Sequence, residues 1–226
     1  MMDQLPIYIP LLFVLTVMAT IFWFYWATKS KTYLIIAIVW TILQSILGIS
    51  GIFQNTQAMP PRLILLGVFP TLLMIAAMFL TAKGRLFIDQ INLQTLTYFH
   101  TIRNPVEIVL VLLFHQGLVS VYMTYEGTNF DLFSGITALI VGYLGFRSGK
   151  PNTKLLLVWN ILCLLLLINV VVTAIFAFPS PFQKISFDQP NIAVLYFPFN
   201  LLPSVVVPTV LFGHLVAIRR LGKMGK

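Results

Sequence analysis

Basic residues separate the apolar stretches of this chain in a strongly uneven way. Seven hydrophobic stretches fill most of the 226 residues. Of the 14 Lys and Arg residues, all but Arg62 and Lys184 fall in alternate gaps between the stretches. These are Lys29, Lys31, Lys83, Arg85, Arg103, Arg147, Lys150, Lys154, Arg219, Arg220, Lys223 and Lys226. The distribution is the positive-inside pattern of a protein that crosses a membrane several times.

Composition excludes several other classes of protein. Hydrophobic residues make up 59% of the chain and charged residues 9%, which is outside the range of soluble globular domains. We therefore expect one transmembrane domain over residues 1–226. The net charge of +8 follows from the orientation bias, so we expect anionic lipid, and no nucleic acid, as its counter-charge. Cys163 is the only cysteine, which excludes a disulfide within the chain and a thiolate metal cluster.

The predicted fold is an all-α bundle of seven transmembrane helices, with the N-terminus outside and the C-terminus in the cytoplasm. About 20 apolar residues are needed for a helix to cross a bilayer. The predicted spans cover residues 7–27, 33–53, 63–82, 105–125, 132–146, 155–178 and 192–218. Residues 86–104 are more polar but keep one apolar side, which predicts an interfacial segment before span 4. A cleaved signal peptide carries positive charges before its apolar stretch, whereas the first stretch here is followed by them. We therefore expect it to be retained as a span.

Polar residues line one side of span 4 and of the segment before it. At 100° per residue, His100, Arg103, Glu107 and His115 share one face. We expect Arg103 to pair with Glu107, four residues away, and His115 to lie near the middle of the membrane. Span 7 has its own polar side and three prolines. We therefore predict a polar pocket between spans 4 and 7, formed by His100, Arg103, Glu107, His115, Asn200 and His214. The alternative is a structural ion pair with a histidine bonded to a neighbouring helix.

A second group of polar residues lies in the predicted outer loops. Glu126, Asp131 and Asp188 suit cations or polar ligands, although acidic residues are also common in loops simply because loops are hydrated. We predict no metal site, because the spacing of the two histidines and Glu107 matches no ligand motif. No cofactor is predicted either, and a retinal Schiff base is excluded because the spans contain no lysine.

Small residues recur along span 5. Gly135, Ala138 and Gly142 lie three and four positions apart, which makes a smooth ridge that another helix can approach closely. We expect this ridge to contact a second copy of the chain or another membrane protein.

Three segments resemble a known group of proteins. They are Arg103-Asn-Pro-Val-Glu-Ile-Val-Leu110, Thr124-Tyr-Glu-Gly-Thr-Asn-Phe-Asp-Leu-Phe-Ser-Gly-Ile-Thr-Ala138 and Phe187-Asp-Gln-Pro-Asn-Ile-Ala-Val-Leu-Tyr-Phe-Pro198. They are similar to uncharacterised bacterial, chiefly Bacteroidota, multi-pass membrane proteins, over most of the chain from about Lys83 onward. The resemblance implies a location in the bacterial inner membrane and no particular activity.

These features together predict a membrane protein that binds or passes a small solute, ion or lipid through the pocket between spans 4 and 7. Two other functions stay open. The first is a membrane enzyme that acts on a lipid at the inner interface, with His100 or His214 as base and Glu107 either as acid or as the group that orients the histidine. The second is an accessory subunit of a membrane complex.

Overall fold

The structure, a computed structural model, describes residues 5–224. All regular secondary structure in this range is helical. The helices are α1 (Tyr8–Thr28), α2 (Lys31–Ile49), α3 (Ile64–Leu80), α4 (Ala82–Gln90), α5 (Leu93–Phe99), α6 (Arg103–His115), α7 (Asp131–Phe146), α8 (Thr153–Ala177) and α9 (Leu202–Met224). The N-terminal residues 1–4 and Lys226, which enter the predicted orientation, lie outside the described residues.

Four of these helices, α1, α2, α8 and α9, are long and apolar enough to cross a membrane. There is a fifth if α3 and α4, which meet at 90°, are counted as one bent segment. The shorter apolar helix α7 has 16 residues. The all-helical prediction is therefore confirmed, whereas length and apolarity support only four or five of the seven predicted spans.

Thr81 produces the sharp bend between α3 and α4. Its backbone N–H ends α3 by donating to the Ala77 carbonyl at 3.0 Å, and its hydroxyl begins α4 by accepting from the Gly84 N–H at 3.1 Å. Gly84 lies so close to the backbone of Met78 that any Cβ there would clash. As a result α4 lies across the end of the bundle, and its amphipathic sequence matches the first part of the predicted interfacial segment.

The helical segment in the region of the fourth predicted span begins and ends earlier in the chain than expected. α5, a 3₁₀ turn at His100–Ile102 and α6 form a nearly continuous helical segment from Leu93 to His115, in place of residues 105–125. The second half of the predicted interfacial segment is thus inside the bundle. The prediction was wrong because it assumed that a segment with this many polar residues stays at the membrane surface. In the structure, neighbouring helices surround these polar residues. Gly117, with φ of 73°, ends the segment with the left-handed residue typical of helix C-termini.

α1 packs one of its sides against the bundle and exposes the other, which includes Leu15 and Phe22. Its side chains at three- and four-residue steps form one buried face, which includes Phe13, Val17 and Phe24 and packs against α5 and α6. α2 is different, because only Gln44 and Gly48 are buried in it. Much of the apolar surface of α2, including Val39 and Ile46, faces outward, as expected for a helix that contacts lipid.

The small residues of α7 face other helices of the same chain. A Cβ built on Gly142 would lie 2.5 Å from Cε1 of Tyr98, and Gly135 lies against the amide of Asn104. Ala138 is fully buried. The predicted ridge is therefore present, but α5 and α6 of the same chain cover it, and it does not form an exposed surface for another protein.

The last helix begins ten residues later than predicted, at Leu202. It continues through Pro208, which has no N–H to donate to the Ser204 carbonyl four residues before it. The indole N–H of Trp40 in α2 donates to this carbonyl at 2.9 Å. A side chain from a neighbouring helix therefore bonds the carbonyl that proline leaves without its usual partner.

α3 contains the same arrangement. Pro70 cannot donate to the Leu66 carbonyl, and the side-chain amide of Gln44 in α2 donates to it at 2.9 Å. α2 thus contributes one hydrogen bond to α3 and one to α9, at the carbonyls that face Pro70 and Pro208. These bonds connect α2 to the bundle although it buries little of its apolar surface.

Candidate functional site

Five ionisable side chains are buried together where α5, α6, α7, α8 and α9 meet. We call this group the polar column, and it consists of His100, Arg103, Glu107, Asp131 and His214. Both histidines are 0% exposed, and the other three side chains belong to residues that are 3–6% exposed. Ionisable groups inside a helical membrane bundle are costly, and they usually mark a path or site for ions, protons or polar solutes.

The two histidines form one end of the polar column. Their rings stack with centroids 3.8 Å apart and an interplanar angle of 13°. His214 Nδ1 is hydrogen-bonded to Oδ1 of Asn160 in α8 at 2.9 Å. Gly213 makes room for this stacking, because its absent side chain would meet His100 Cε1 at 3.2 Å. Within residues 5–224, both nitrogens of His100 and Nε2 of His214 have no hydrogen-bond partner.

Arg103 and Asp131 form the middle of the polar column. Arg103 Nε lies 3.2 Å from Oδ2 of Asp131, at the first turn of α7, and the guanidinium also points to the Cys163 carbonyl at 3.5 Å. The predicted pair between Arg103 and Glu107 was wrong, because α7 brings a different carboxylate next to the guanidinium. Arg103 also lies inside the bundle, although in the sequence it belongs to the basic residues between two apolar stretches.

Glu107 forms the other end of the polar column with a partner from the loop after α6. The side-chain N–H₂ of Asn129 lies 2.7 and 2.8 Å from the two carboxylate oxygens of Glu107, and 2.8 Å from the Met123 carbonyl. Oδ1 of Asn129 accepts from the backbone N–H of Asp131 at 2.9 Å. Asn129 therefore connects Glu107 to the start of α7.

The charges of the polar column do not balance. Asp131 compensates Arg103, but within the described residues no Lys or Arg lies within salt-bridge distance of Glu107. With both carboxylates ionised and both imidazoles neutral, the column carries one net negative charge. A buried charge without a partner is strongly unfavourable, so this site favours a bound proton or a small cation.

Two residues of the predicted pocket lie outside the polar column. His115 is exposed at the C-terminal end of α6, about 12 Å along the helix from Glu107. The expected position of His115 near the middle of the membrane depended on a span that continued past it. Asn200 is buried but faces α2, where its amide donates to the Gln44 carbonyl at 2.8 Å and covers Gly48. Of the predicted span 7 residues, only His214 reaches the column.

The three predicted outer acidic residues do not form one group. Asp131 is buried in the polar column, while Glu126 and Asp188 are exposed. Across residues 5–224, no set of three or more His, Cys, Asp or Glu side chains is arranged to hold a metal ion. The carboxylates therefore divide into one residue of the column and two on the surface.

The amides next to Asp188 bind backbone groups of the segment that follows α6. Gln189 donates to the carbonyls of Phe114 and Val119 at 2.9 and 2.7 Å. Oδ1 of Asn191 accepts from the Ser120 N–H at 3.0 Å. These bonds fix the segment in which Asn129 lies. Asn129 was missed as a site residue because a polar loop residue is usually hydrated, and only its position two residues before Asp131 suggested a local cap.

A separate cluster of charges lies at the end of the bundle where α4 meets α9. Asp89 accepts from Lys223 Nζ at 2.8 Å and lies 3.7 Å from Arg219 Nε. The hydrogen bond from Lys223 lowers the pKa of Asp89 below its ordinary value, and the charges of Arg219 and Arg220 act in the same direction. This cluster fixes α4 across the end of the bundle.

Comparison with known families places the polar column within a recognised domain. Residues 60–222 match a domain of unknown function, DUF8737. The chain belongs to this family. The matched region begins before α3 and contains every residue of the polar column, whereas α1 and α2 lie outside it. No curated protein and no solved structure matches the chain.

Proposed function

We propose that this protein is a multi-pass membrane protein that binds and passes protons through the polar column. The observation that carries the proposal is the unbalanced charge of Glu107, which lies in a bundle that also contains a stacked histidine pair. Chains of buried carboxylates and imidazoles are the usual carriers of protons across membranes. A small monovalent cation is the second candidate, because it would balance the same charge.

The proposed topology has seven crossing segments. α5 and α6 together form the fourth segment and α7 forms the fifth, with the more apolar helices around them. Asn92 donates to the Ala27 carbonyl, and Lys223 pairs with Asp89, so several basic segments meet at one end of the bundle. The positive-inside rule assigns this end to the cytoplasm. We place the protein in a bacterial inner membrane, on the resemblance of its sequence segments.

The position of the polar column supports passage of a proton. His100 to Glu107 spans about 10 Å of helix, roughly a third of the ~30 Å hydrocarbon core. The three unpaired imidazole nitrogens lie at one end of this distance and the Glu107 carboxylate at the other. Asp131, whose Oδ1 has no hydrogen-bond partner within residues 5–224, lies between them. Proton acceptors are therefore distributed along the column.

The two other functions considered from the sequence find less support in the geometry. A lipid-modifying enzyme at the inner interface needs a base that a headgroup can reach, but His100 and His214 are both 0% exposed. An accessory subunit that assembles through the glycine ridge needs that ridge to be open, but α5 and α6 cover it. The ion pair between Arg103 and Asp131 and the buried Glu107 carboxylate are not needed for assembly through such a ridge.

The test is proton flux in reconstituted vesicles. The purified protein is placed in liposomes that contain a pH-sensitive dye, and a potassium gradient with valinomycin sets the membrane potential. We expect wild-type protein to acidify or alkalise the lumen according to the sign of the potential. Glu107→Gln should reduce this flux at least tenfold, because the amide keeps the bond from Asn129 but carries no exchangeable carboxyl proton.

Glu126→Gln is the matched control, since it makes the same substitution at an exposed carboxylate of the loop after α6. It should retain wild-type flux. Gel filtration and thermal unfolding in detergent establish that both variants are folded. Wild-type flux no greater than that of empty liposomes, or equal flux in the Glu107 and Glu126 variants, contradicts proton passage. Potassium or sodium flux that depends on Glu107 would assign the column to a cation.

A further inference from the structure

A groove of about 580 Å³ lies on the other side of α9, apart from the polar column. α2, α3 and α9 form its walls, and α4 closes one end. Trp40, Pro70 and Ser204 lie at its deep end, and Ser30, Thr32 and Lys83 lie at the end near the α1–α2 turn. The groove is as large as many sites that bind small ligands.

The walls of the groove suit a hydrocarbon chain. Four of its polar side chains already donate to backbone carbonyls: Thr71 to Val68 at 2.7 Å, Thr209 to Val205 at 2.7 Å, Ser204 to Asn200 at 2.7 Å and Trp40 to Ser204 at 2.9 Å. Most of the remaining lining is aliphatic, aromatic or methionine. A polar solute would lose its hydration in such a groove without gaining equivalent hydrogen bonds.

The length of the groove matches one leaflet of a bilayer. From Ser30 to Trp40 the helix α2 rises by about 15 Å, which is half of a hydrocarbon core about 30 Å thick. The outward surfaces of α2 and α3 next to the groove are exposed and apolar, with Ile36, Leu73 and Met74 among them. The groove is therefore continuous with the surface that would face lipid tails.

The charge at the mouth of the groove selects the headgroup. Lys83 lies at the end of the groove and is exposed, and no ion pair within the described residues involves it. The nearby Asp89 is already paired with Lys223 and Arg219, so it does not compensate Lys83. Arg85 donates to the Leu80 carbonyl at 2.7 Å at the end of α3. Among the residues that line the groove, Lys83 is thus the basic side chain available to a phosphate at this position.

We infer that the groove binds one anionic glycerophospholipid of the inner leaflet, with an acyl chain between α2, α3 and α9 and its phosphate near Lys83. This site is separate from the polar column and does not depend on proton passage. Since the lipid would contact Pro70 of α3, Pro208 of α9 and Trp40 of α2, its occupancy would hold α2 against α3 and α9.

Quenching of tryptophan fluorescence by brominated lipid tests this inference. The protein is reconstituted in nanodiscs of zwitterionic phospholipid that contain a small fraction of anionic phospholipid with brominated acyl chains. The Trp40→Phe variant isolates the contribution of Trp40. We expect Trp40 to be quenched at lower fractions of brominated anionic lipid than of brominated zwitterionic lipid. Lys83→Gln should weaken this preference about fivefold, as expected for one lysine near a membrane surface.

Lys154→Gln is the matched control, because Lys154 is an exposed lysine of α8 outside the groove. It should leave the quenching of Trp40 unchanged. Ala37→Phe, which places a larger side chain in the groove, should abolish the preference while thermal unfolding shows that the protein is folded. Equal quenching by both lipids, equal effects of the two lysine variants, or unchanged quenching in the Ala37 variant would show ordinary annular lipid and overturn the inference. Glu107→Gln should not alter quenching, which separates this site from the polar column.

Discussion

The imidazole rings of His100 and His214 stack face to face with their centroids 3.8 Å apart. Only His214 has a hydrogen-bond partner within residues 5–224, because its Nδ1 is bonded to Asn160 while both nitrogens of His100 are free. The two rings therefore differ in what they contribute to stability, although they are equally buried. His100 contributes ring packing and, as a neutral imidazole, one nitrogen that can accept a proton, and His214 also contributes a hydrogen bond between α8 and α9.

This difference predicts unequal effects of phenylalanine substitutions. His100→Phe keeps a ring in the stack and removes no hydrogen bond, so it should change the free energy of unfolding by less than about 1 kcal/mol. His214→Phe leaves Oδ1 of Asn160 without its partner and should cost about 1–2 kcal/mol. Unfolding of both variants in the same detergent is the measurement. A larger loss for the His100 variant would contradict the geometry of the pair.

A second prediction concerns the ion pair between Arg103 and Asp131. Removing one member of a buried pair strands the other charge, which costs about 3–5 kcal/mol when the pair is fully buried. We expect Asp131→Asn and Arg103→Gln each to destabilise the protein by an amount near this range. The double variant should lose clearly less than the sum of the two.

The matched comparison uses the carboxylate that the sequence suggested. A cycle of Arg103→Gln with Glu107→Gln should show a smaller coupling energy than the cycle with Asp131, because Glu107 bonds to Asn129 and forms no salt bridge with Arg103. A stronger coupling to Glu107 than to Asp131 would show that the guanidinium pairs along its own helix.

The proline-containing helices give a third prediction. Trp40→Phe removes the donor to the Ser204 carbonyl and should destabilise the protein by about 1–2 kcal/mol. In a Pro208→Ala background the restored backbone N–H can bond this carbonyl, so the same Trp40 substitution should cost less. Thermal unfolding of the four proteins in the cycle measures the difference. Equal costs of Trp40→Phe in both backgrounds would mean that the indole bond does not compensate for proline.

The sequence predicted the all-helical fold and most of the residues of the polar column, but it did not predict their partners. His100, Arg103, Glu107 and His214 were found because charged and polar side chains are rare in apolar helices. The Arg103–Asp131 pair depends on where α7 begins relative to α6, and chain packing sets this position. The end of α6 at His115 was missed for a related reason, since Gly117 ends a helix in an otherwise apolar stretch.

A fourth prediction concerns pH and the charged cluster at the end of the bundle. Lys223 lowers the pKa of Asp89, so the ionised carboxylate stabilises the folded protein above the ordinary pKa of aspartate. This contribution is lost as the pH falls through the lowered pKa. Because the Asp89 side chain is 37% exposed, solvent screens the pair and its contribution should not exceed about 0.5 kcal/mol.

Comparing Asp89→Asn with wild type over a range of pH provides the measurement. Near neutral pH the variant should be slightly less stable, and the difference should shrink toward zero below about pH 4, where aspartate takes up a proton. High salt should reduce the difference at neutral pH in the same way. A difference that persists unchanged in acid would mean that Asp89 acts through packing and not through its charge.

The last prediction concerns the orientation of the bundle, on which the direction of proton passage depends. In a background where Cys163 is replaced by Ala, single cysteines are placed at Gln57, Asp188 and Lys223, three exposed positions. The positive-inside rule predicts that the first two face the outside. In intact cells, an impermeant thiol reagent should therefore label Gln57→Cys and Asp188→Cys but not Lys223→Cys, which should react only after the cells are opened.

Labelling of Lys223→Cys in intact cells, with protection of the other two, would reverse the orientation. Labelling of Gln57→Cys without Asp188→Cys would show that the segments between them cross an odd number of times, which would remove either α7 or the α5–α6 segment from the set of crossings. Both segments contribute side chains to the polar column, so that result would contradict the seven-segment topology on which the proposed passage of protons rests.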